Sequence, residues 1–214
     1  SDGTGLEFIA YDTGEIEFRV GENPFLTRAE MRKVISKSLS LYQKRHSGRG
    51  PKRLIVHKNT RFTKKEIDGV FDAVPLNINT ELLQIVSSNW RGLKYIQSMG
   101  NAVCDGYPIT RGSYVQTGPQ EIMLWTQGSI ILNNKSYYKE GKNIPSPLTI
   151  KRFAGDSGWD QNCLAILGLT KMNWNHDALY DRLPVTLGYA KVLATTIKRM
   201  NTLVNKPYEF RYFM

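Results

Sequence analysis

The sequence predicts an α/β protein with a mixed central sheet and flanking helices. Three observations carry that prediction. Two Thr-x-x-Glu boxes, at Thr27 and Thr63, mark helix starts. Between them, Leu54-Ile55-Val56 is an unbroken apolar run, the pattern of a strand covered on both faces. Strand, hairpin, helix, strand, helix and strand follow one another in the order of a layered α/β structure.

The elements follow along the chain. Residues 6–11 and 15–20 are β-rich and joined by Asp12-Thr13-Gly14, which predicts a hairpin. In the second run Ile16, Phe18 and Val20 alternate with Glu15, Glu17 and Arg19, so one face is buried and one wet. At Thr27-Arg28-Ala29-Glu30 the hydroxyl and the carboxylate can satisfy orphan amides of a helix start. Met31, Val34, Ile35, Leu39 and Tyr42 then recur at helical spacing, to an end near His46 and the loop Ser47-Gly48-Arg49-Gly50-Pro51. Residues 53–57 form the next strand. The box at Thr63-Lys64-Lys65-Glu66 opens a second helix bearing Ile67, Val70, Phe71 and Val74. Residues 82–86 are a further strand, and 113–116 and 121–126 are the clearest strands between 90 and 153. Residues 133–147 are polar and turn-rich, which predicts a loop. Residues 160–169 read as a helix. Leu183-Pro184-Val185-Thr186 leads into a last long helix with Tyr189, Val192, Leu193, Ile197 and Met200 on one face.

Length and composition set the frame. The 214 residues show no repeat, low-complexity tract or linker, so they read as one domain. Apolar residues are 41% and charged residues 22%, with mean hydropathy −0.38, a globular composition. No run approaches the ~18 apolar residues of a membrane span; the densest is 163–169. The start, Ser1-Asp2-Gly3-Thr4-Gly5, has neither a basic-apolar leader nor a Met, which predicts a cytoplasmic protein that is processed or part of something longer. Cys104 and Cys163 are too few for a disulfide framework and read as reduced structural thiols. Twenty-nine basic against 19 acidic residues leave +10, with pI ≈ 9.6. Such an excess favours a polyanion, most simply nucleic acid, over a merely basic surface.

Several chemistries are excluded. His46, His57 and His176 are too scattered for a histidine metal site. No phosphate-cradling glycine loop and no Gly-x-Ser-x-Gly elbow occurs. Asp156 and Asp160 read as cap and first-turn acids of the helix beginning near 160, where the dipole favours negative charge.

Two segments stand out. In the first, a strand ends in Lys58, Arg61, Lys64 and Lys65 at a helix N-terminus, where side-chain charge and free amides suit phosphate. The alternative is a solvated basic edge. In the second, Lys171, Asn173, Trp174 and Asn175 bring a cation, two amides and an indole together. Lys suits phosphate, Asn suits sugar or phosphate, and Trp packs or stacks. The alternative is a loop with a buried Trp.

Leu169-Thr170-Lys171-Met172-Asn173-Trp174-Asn175, then Leu183-Pro184-Val185-Thr186-Leu187 and a long helix, resembles the C-terminal part of a PIWI domain, most of all that of short prokaryotic Argonautes. Residues 53–58 with Arg61-Phe62-Thr63, residues 110–112 and 124–129, and the aromatic tail 208–214 follow collinearly. The resemblance implies an RNase H-like fold, with residues 1–214 as the C-terminal portion of the PIWI domain. The MID domain and first PIWI strand are then expected outside this chain, in another chain or a missing segment, with a sheet edge left to pair.

Active members of that family hold two divalent metals on acidic or histidine ligands and cleave phosphodiesters in line. The resemblance places one ligand position at Asn59 and another at Lys191. An amide binds Mg²⁺ far less well than a carboxylate, and a Lys adds repulsion. The expectation is a nuclease-dead domain. The resemblance assigns the glutamate finger to no position here; Glu30 is nearby but is better explained as a capping residue. By resemblance Lys171, Asn173 and Arg111 contact guide phosphates, Trp174 packs beneath the loop, and Lys191 faces phosphate where a metal would sit. Lys58, Arg61 and Lys64 complete the expected nucleic-acid-binding set. Tyr208, Phe210, Tyr212 and Met214 share one parity, so an extended tail can bury them together. The resemblance adds that the Met214 carboxylate would reach Mg²⁺ at the guide 5′ phosphate.

The expected partners are a guide, RNA favoured, a complementary target, DNA favoured, and an effector carrying an Argonaute-associated domain, with no membrane. Such a module would license the effector in anti-phage or anti-plasmid defence. Two other readings compete: an active RNase H-like guided endonuclease with displaced ligands, and a structural domain that has lost nucleic acid.

Overall fold

The computed structural model describes residues 7–9, 14, 16–17, 24–87, 96–99, 102–105, 109–133, 135–138, 144–173, 180–199 and 207–209. In chain order the elements are β1 (Glu7–Ile9), β2 (Ile16–Glu17), β3 (Phe25–Leu26), α1 (Arg28–Arg45), β4 (Arg53–Lys58), α2 (Lys64–Ala73), β5 (Asn79–Ser87), β6 (Ile96–Met99), β7 (Ala102–Asp105), β8 (Tyr114–Gly118), β9 (Glu121–Leu124), β10 (Ile130–Leu132), β11 (Lys135–Tyr137), β12 (Leu148–Ala154), α3 (Trp159–Leu169), α4 (Val185–Arg199) and β13 (Pro207–Glu209). The principal sheet has the order β4-β5-β12-β9-β8. It is mixed: β4 runs parallel to β5, whereas β9 is antiparallel to both β12 and β8. The expected α/β class with a mixed sheet and flanking helices is what the chain adopts.

The chain divides into two compact units. The first comprises Ser1–Gln84, Arg152–Ser157 and Tyr189–Met214. Its core joins Met31, Ile35 and Leu39 of α1 to Val70 of α2, with Phe62, Val74, Ile78 and Leu82. The helical spacing of those α1 residues predicts this buried stripe. The two helices meet closely at Gly69, where a Cβ would stand 2.5 Å from the Arg28 carbonyl oxygen. Only glycine allows that backbone approach. The second unit comprises Ile85–Lys151 and Gly158–Gly188. Ile122, Leu124, Leu148 and Ile150 are fully buried there on the paired strands β9 and β12, as is Ile166 of α3.

The Thr63 box forms in full: the Thr63 hydroxyl accepts from the Glu66 amide, and the Glu66 carboxylate accepts from the Thr63 amide. The Thr27 box forms by half. Thr27 Oγ1 accepts from the Glu30 amide, while the Glu30 carboxylate meets Lys33. Gly158, with no side-chain cap, precedes α3 in place of an aspartate; Asp160 sits in the first turn as expected.

Four local expectations change. Residues 6–11 and 15–20 do not pair among the described residues: β1 pairs with β13 and β2 with β3. Local turn chemistry favours a hairpin, but it is blind to a partner strand at the far end of the chain. Among the described strands β4 ends the sheet and is half-buried along its length, rather than covered centrally. That role falls to β5, whose Thr80 to Leu83 are all buried. It begins before residue 82, because the carboxylate of Glu81 is buried rather than turned to water. Within 133–147, residues 135–137 form β11, paired with β10.

Candidate nucleic-acid interface

The end of β4 and the start of α2 place four of the predicted residues, Lys58, Asn59, Arg61 and Lys64, within one turn of chain in the first unit. At its centre is a buried carboxylate. Glu66 is fully buried and accepts from the Lys58 ammonium at 2.5 Å, the Leu26 amide at 3.2 Å and the Thr63 amide at 2.9 Å. The Lys58 Nζ also donates to the Arg61 carbonyl and stands over the rings of Phe25 and Phe62, 4.9 and 5.4 Å from their centroids. A buried carboxylate persists only when paired and hydrogen-bonded, and every one of these contacts meets that need.

This arrangement revises the expectation of free amides at the helix N-terminus. The anion-favouring end of α2 already holds the chain's own anion, Glu66. Lys58 is the counterion of that carboxylate, with 21% of its side chain exposed. Lys65 pairs with Glu17. Arg61 is exposed, its guanidinium 5.6 Å from the Phe25 centroid, and Lys64 is exposed on the first turn of α2. Lys64 and Arg61 are therefore the outward-facing cations of this segment, and Lys58 is its internal brace.

Asn59 is exposed just beyond β4, its carbonyl accepting from the Gln84 side chain at 3.3 Å. Lys191 is exposed on α4. An amide binds Mg²⁺ far less well than a carboxylate and an ammonium repels it, so the donors at these two positions fit a two-metal centre poorly. Among the described residues no group of three or more His, Cys, Asp or Glu is placed to hold a metal. Glu81, the other fully buried carboxylate, accepts from the Ser157 amide at 2.7 Å and faces Arg152 Nε at 3.2 Å. Gly155 makes room for it: at φ +102, a Cβ there would lie 2.4 Å from the Glu81 carboxyl carbon. His57 precedes Lys58 on β4, and burial pushes its imidazole down to about 4. Met214 and Trp174 lie outside the described residues, and so does the terminal carboxylate on which the expected Mg²⁺ rests.

In the second unit, Arg111 is half-buried. Its guanidinium donates to the Leu167 carbonyl at 2.9 Å and to Thr170 Oγ1 at 2.7 Å, and lies 4.8 Å from the Tyr180 ring centroid. A cation at the C-terminal end of α3 complements the helix dipole. Arg111 thus clasps the end of α3, and burial lowers its pKa. Beyond that clasp, the 170–181 loop is closed at its base. The Asp181 amide donates to the Thr170 carbonyl at 2.7 Å, and Asn173 Nδ2 donates to Asp181 Oδ2 at 2.5 Å. Lys171 is exposed at the start of this segment, and Asn173 ties its first residues to Asp181. The structure so separates the predicted cations into exposed ones, Arg61, Lys64, Lys171 and Lys191, and braced ones, Lys58 and Arg111. Charge in the sequence does not distinguish them.

Comparison with solved structures identifies the fold. A. aeolicus Argonaute is matched at TM-score 0.60 and 20% identity, over 90% of this chain and 25% of that one. A structure of the same Argonaute with externally bound siRNA gives TM-score 0.61 and 20% identity, over 90% and 24%. The chain has the fold of a segment of Argonaute. Clostridium butyricum Argonaute, solved with a guide DNA and a 19-mer target DNA, is matched at TM-score 0.59 and 21% identity, over 86% of this chain and 23% of that one. The chain spans about a quarter of the length of these Argonautes. The recognised PIWI-like, RNase H-like fold agrees with this likeness. No protein-family model matches the sequence, and no curated protein does. Among the described residues no helix is long and apolar enough to cross a membrane.

Proposed function

We propose that this chain is a guided nucleic-acid-binding module that lacks nuclease activity. It holds a guide strand, RNA by preference, and a complementary target, DNA by preference. In that state it licenses an associated effector protein in anti-phage or anti-plasmid defence. The observation that carries the reading is the Argonaute-like fold over 90% of a chain whose end-of-β4 ligand position is an exposed asparagine. An excess of ten positive charges supports the partner class. Backbone contacts by such cations position a guide without reading its bases, and target choice is left to pairing.

An active endonuclease would need acidic residues gathered at the sheet. Among the described residues the two fully buried glutamates are each committed to a cation, Glu66 to Lys58 and Glu81 to Arg152. That commitment favours binding without cleavage. Where Met214 is the terminus of the protein, its carboxylate, with Mg²⁺, would supply an anchor for the guide 5′ phosphate. Extending the chain beyond Met214 tests that part, since a guide affinity left unaffected removes the role.

The binding surface is tested through Lys171 and Lys191, both exposed and outside the buried braces. Lys171→Gln with Lys191→Gln should lower the slope of log affinity against log salt by about 0.9 per lost phosphate contact on duplex DNA. The fold should be unaffected. An unchanged slope removes these residues from the interface.

A further inference from the structure

One flank of α1 is strongly basic, and the guide-binding reading does not use it. The helix carries six basic side chains against one acidic. Its apolar stripe, Met31, Ile35 and Leu39, faces the core. At 3.6 residues per turn, Arg32, Lys33, Ser36, Lys37, Ser40 and Lys44 fall together on one side of that stripe. All six are exposed. Beneath the first turns of this flank lies a groove of about 650 Å³, lined by Arg28, Ala29, Arg32, Lys33 and Ser36 of α1 and Asp72 of α2.

The groove has a fixed floor and an excess of positive charge, with Arg28, Arg32 and Lys33 against Asp72. Arg28 is held by Asp72 through two hydrogen bonds, at 2.5 and 2.7 Å, so this pair is internally neutral. Arg32 makes no hydrogen bond or close ion pair among the described residues, although its charge is felt by Asp72 at the groove wall. Lys33 reaches Glu30 only at 3.4 Å, with 47% of its side chain exposed. Ser36 follows the Arg32-Lys33 pair on the flank, and Ser40 lies between Lys37 and Lys44. Protein interfaces are depleted of lysine and of charge at their core, whereas this flank is made of them. Phosphate esters need what it does offer, point charges with a short hydroxyl donor beside them.

We propose that the α1 flank and its groove are a second track for a nucleic-acid backbone, additional to the exposed cations of the guide-binding reading. The proposal rests on that reading for the class of partner. Arg32 and Lys33 hold phosphates at the groove, and the Ser36 hydroxyl, one turn on, donates a hydrogen bond beside them; the Ser40 hydroxyl is already given to the Ser36 carbonyl. The contacts are to phosphate, so they extend the footprint on a bound strand without adding base preference.

The test uses the full-length protein and a fluorescein-labelled DNA duplex. Arg32→Gln with Lys33→Gln should lower the slope of log affinity against log salt by about 1.8, two contacts at ~0.9 each. A photo-crosslinker on Ser36→Cys should capture the labelled strand. The same reagent on Ser38→Cys, about 200° around the helix, should not. An unchanged slope with equal capture from both positions overturns the track while leaving the guide-binding reading intact. No binding by the unmodified protein overturns both. Capture of labelled poly-glutamate from Ser36→Cys, with no crosslink to DNA, assigns the flank to an acidic protein and overturns the track.

Discussion

Lys58 offers the sharpest contrast between what a basic residue suggests and what it does. Lys58→Met keeps the aliphatic stem over Phe25 and Phe62 but removes the ammonium from Glu66. The carboxylate is then left fully buried with two amides and a hydroxyl as its remaining donors. Breaking a buried ion pair from one side costs about 3–5 kcal/mol. Lys58 keeps 21% of its side chain in solvent, so the lower end applies, about 3 kcal/mol. Adding Glu66→Gln should recover part of that loss, because the buried charge is gone and the amide can still accept from the Thr63 amide. Urea unfolding of the single and double variants, beside anisotropy titrations with labelled duplex DNA, reads both effects. Unchanged stability of Lys58→Met together with a marked loss of affinity would refute the brace and return Lys58 to the interface.

Two further outcomes follow from the same geometry. His57, held near 4 in the folded chain against 6.5 unfolded, stays neutral while the unfolded chain takes up a proton. Stability should therefore fall as pH drops from about 6.5 to 4, by roughly 2.5 kcal/mol at pH ~4.5. His57→Gln should flatten that part of the urea-unfolding profile; an identical pH dependence in the variant would show that other groups produce it. Arg111→Met should destabilise by about 2 kcal/mol, the worth of a charged hydrogen-bond pair. Lower DNA affinity with an unchanged unfolding midpoint would contradict the clasp and restore Arg111 as a phosphate contact.

Much of the fold was legible because its signals are local. Thr63 and Glu66 lie three residues apart and form the predicted box. The apolar stripe of α1 and the run at residues 54–56 announce a helix and a strand without any knowledge of neighbours. What escaped depends on distant partners. Glu7–Ile9 pairs with Pro207–Glu209, close to 200 residues away, so the turn at Asp12-Thr13-Gly14 pointed to the wrong neighbour. Glu81 reads as a residue outside a strand, until Arg152 and the Ser157 amide, more than 70 residues on, make its burial tolerable. The candidate interface divides in the same way. Composition gave the excess of charge and hence the class of partner, but the choice between braced Lys58 and exposed Lys64 is made by Glu66 and two phenylalanine rings. The α1 flank is masked in the sequence by the apolar residues of that helix, whose periodicity is the stronger signal.

The central claim, guided binding without cleavage, is tested most directly by target capture. The full-length protein is loaded with a guide, given labelled complementary and scrambled DNA targets in Mg²⁺, and the bound and free strands are resolved on a denaturing gel. The account predicts that the complementary target is retained at full length while the scrambled one stays free. Cleavage of the complementary target, or equal retention of both, would contradict it.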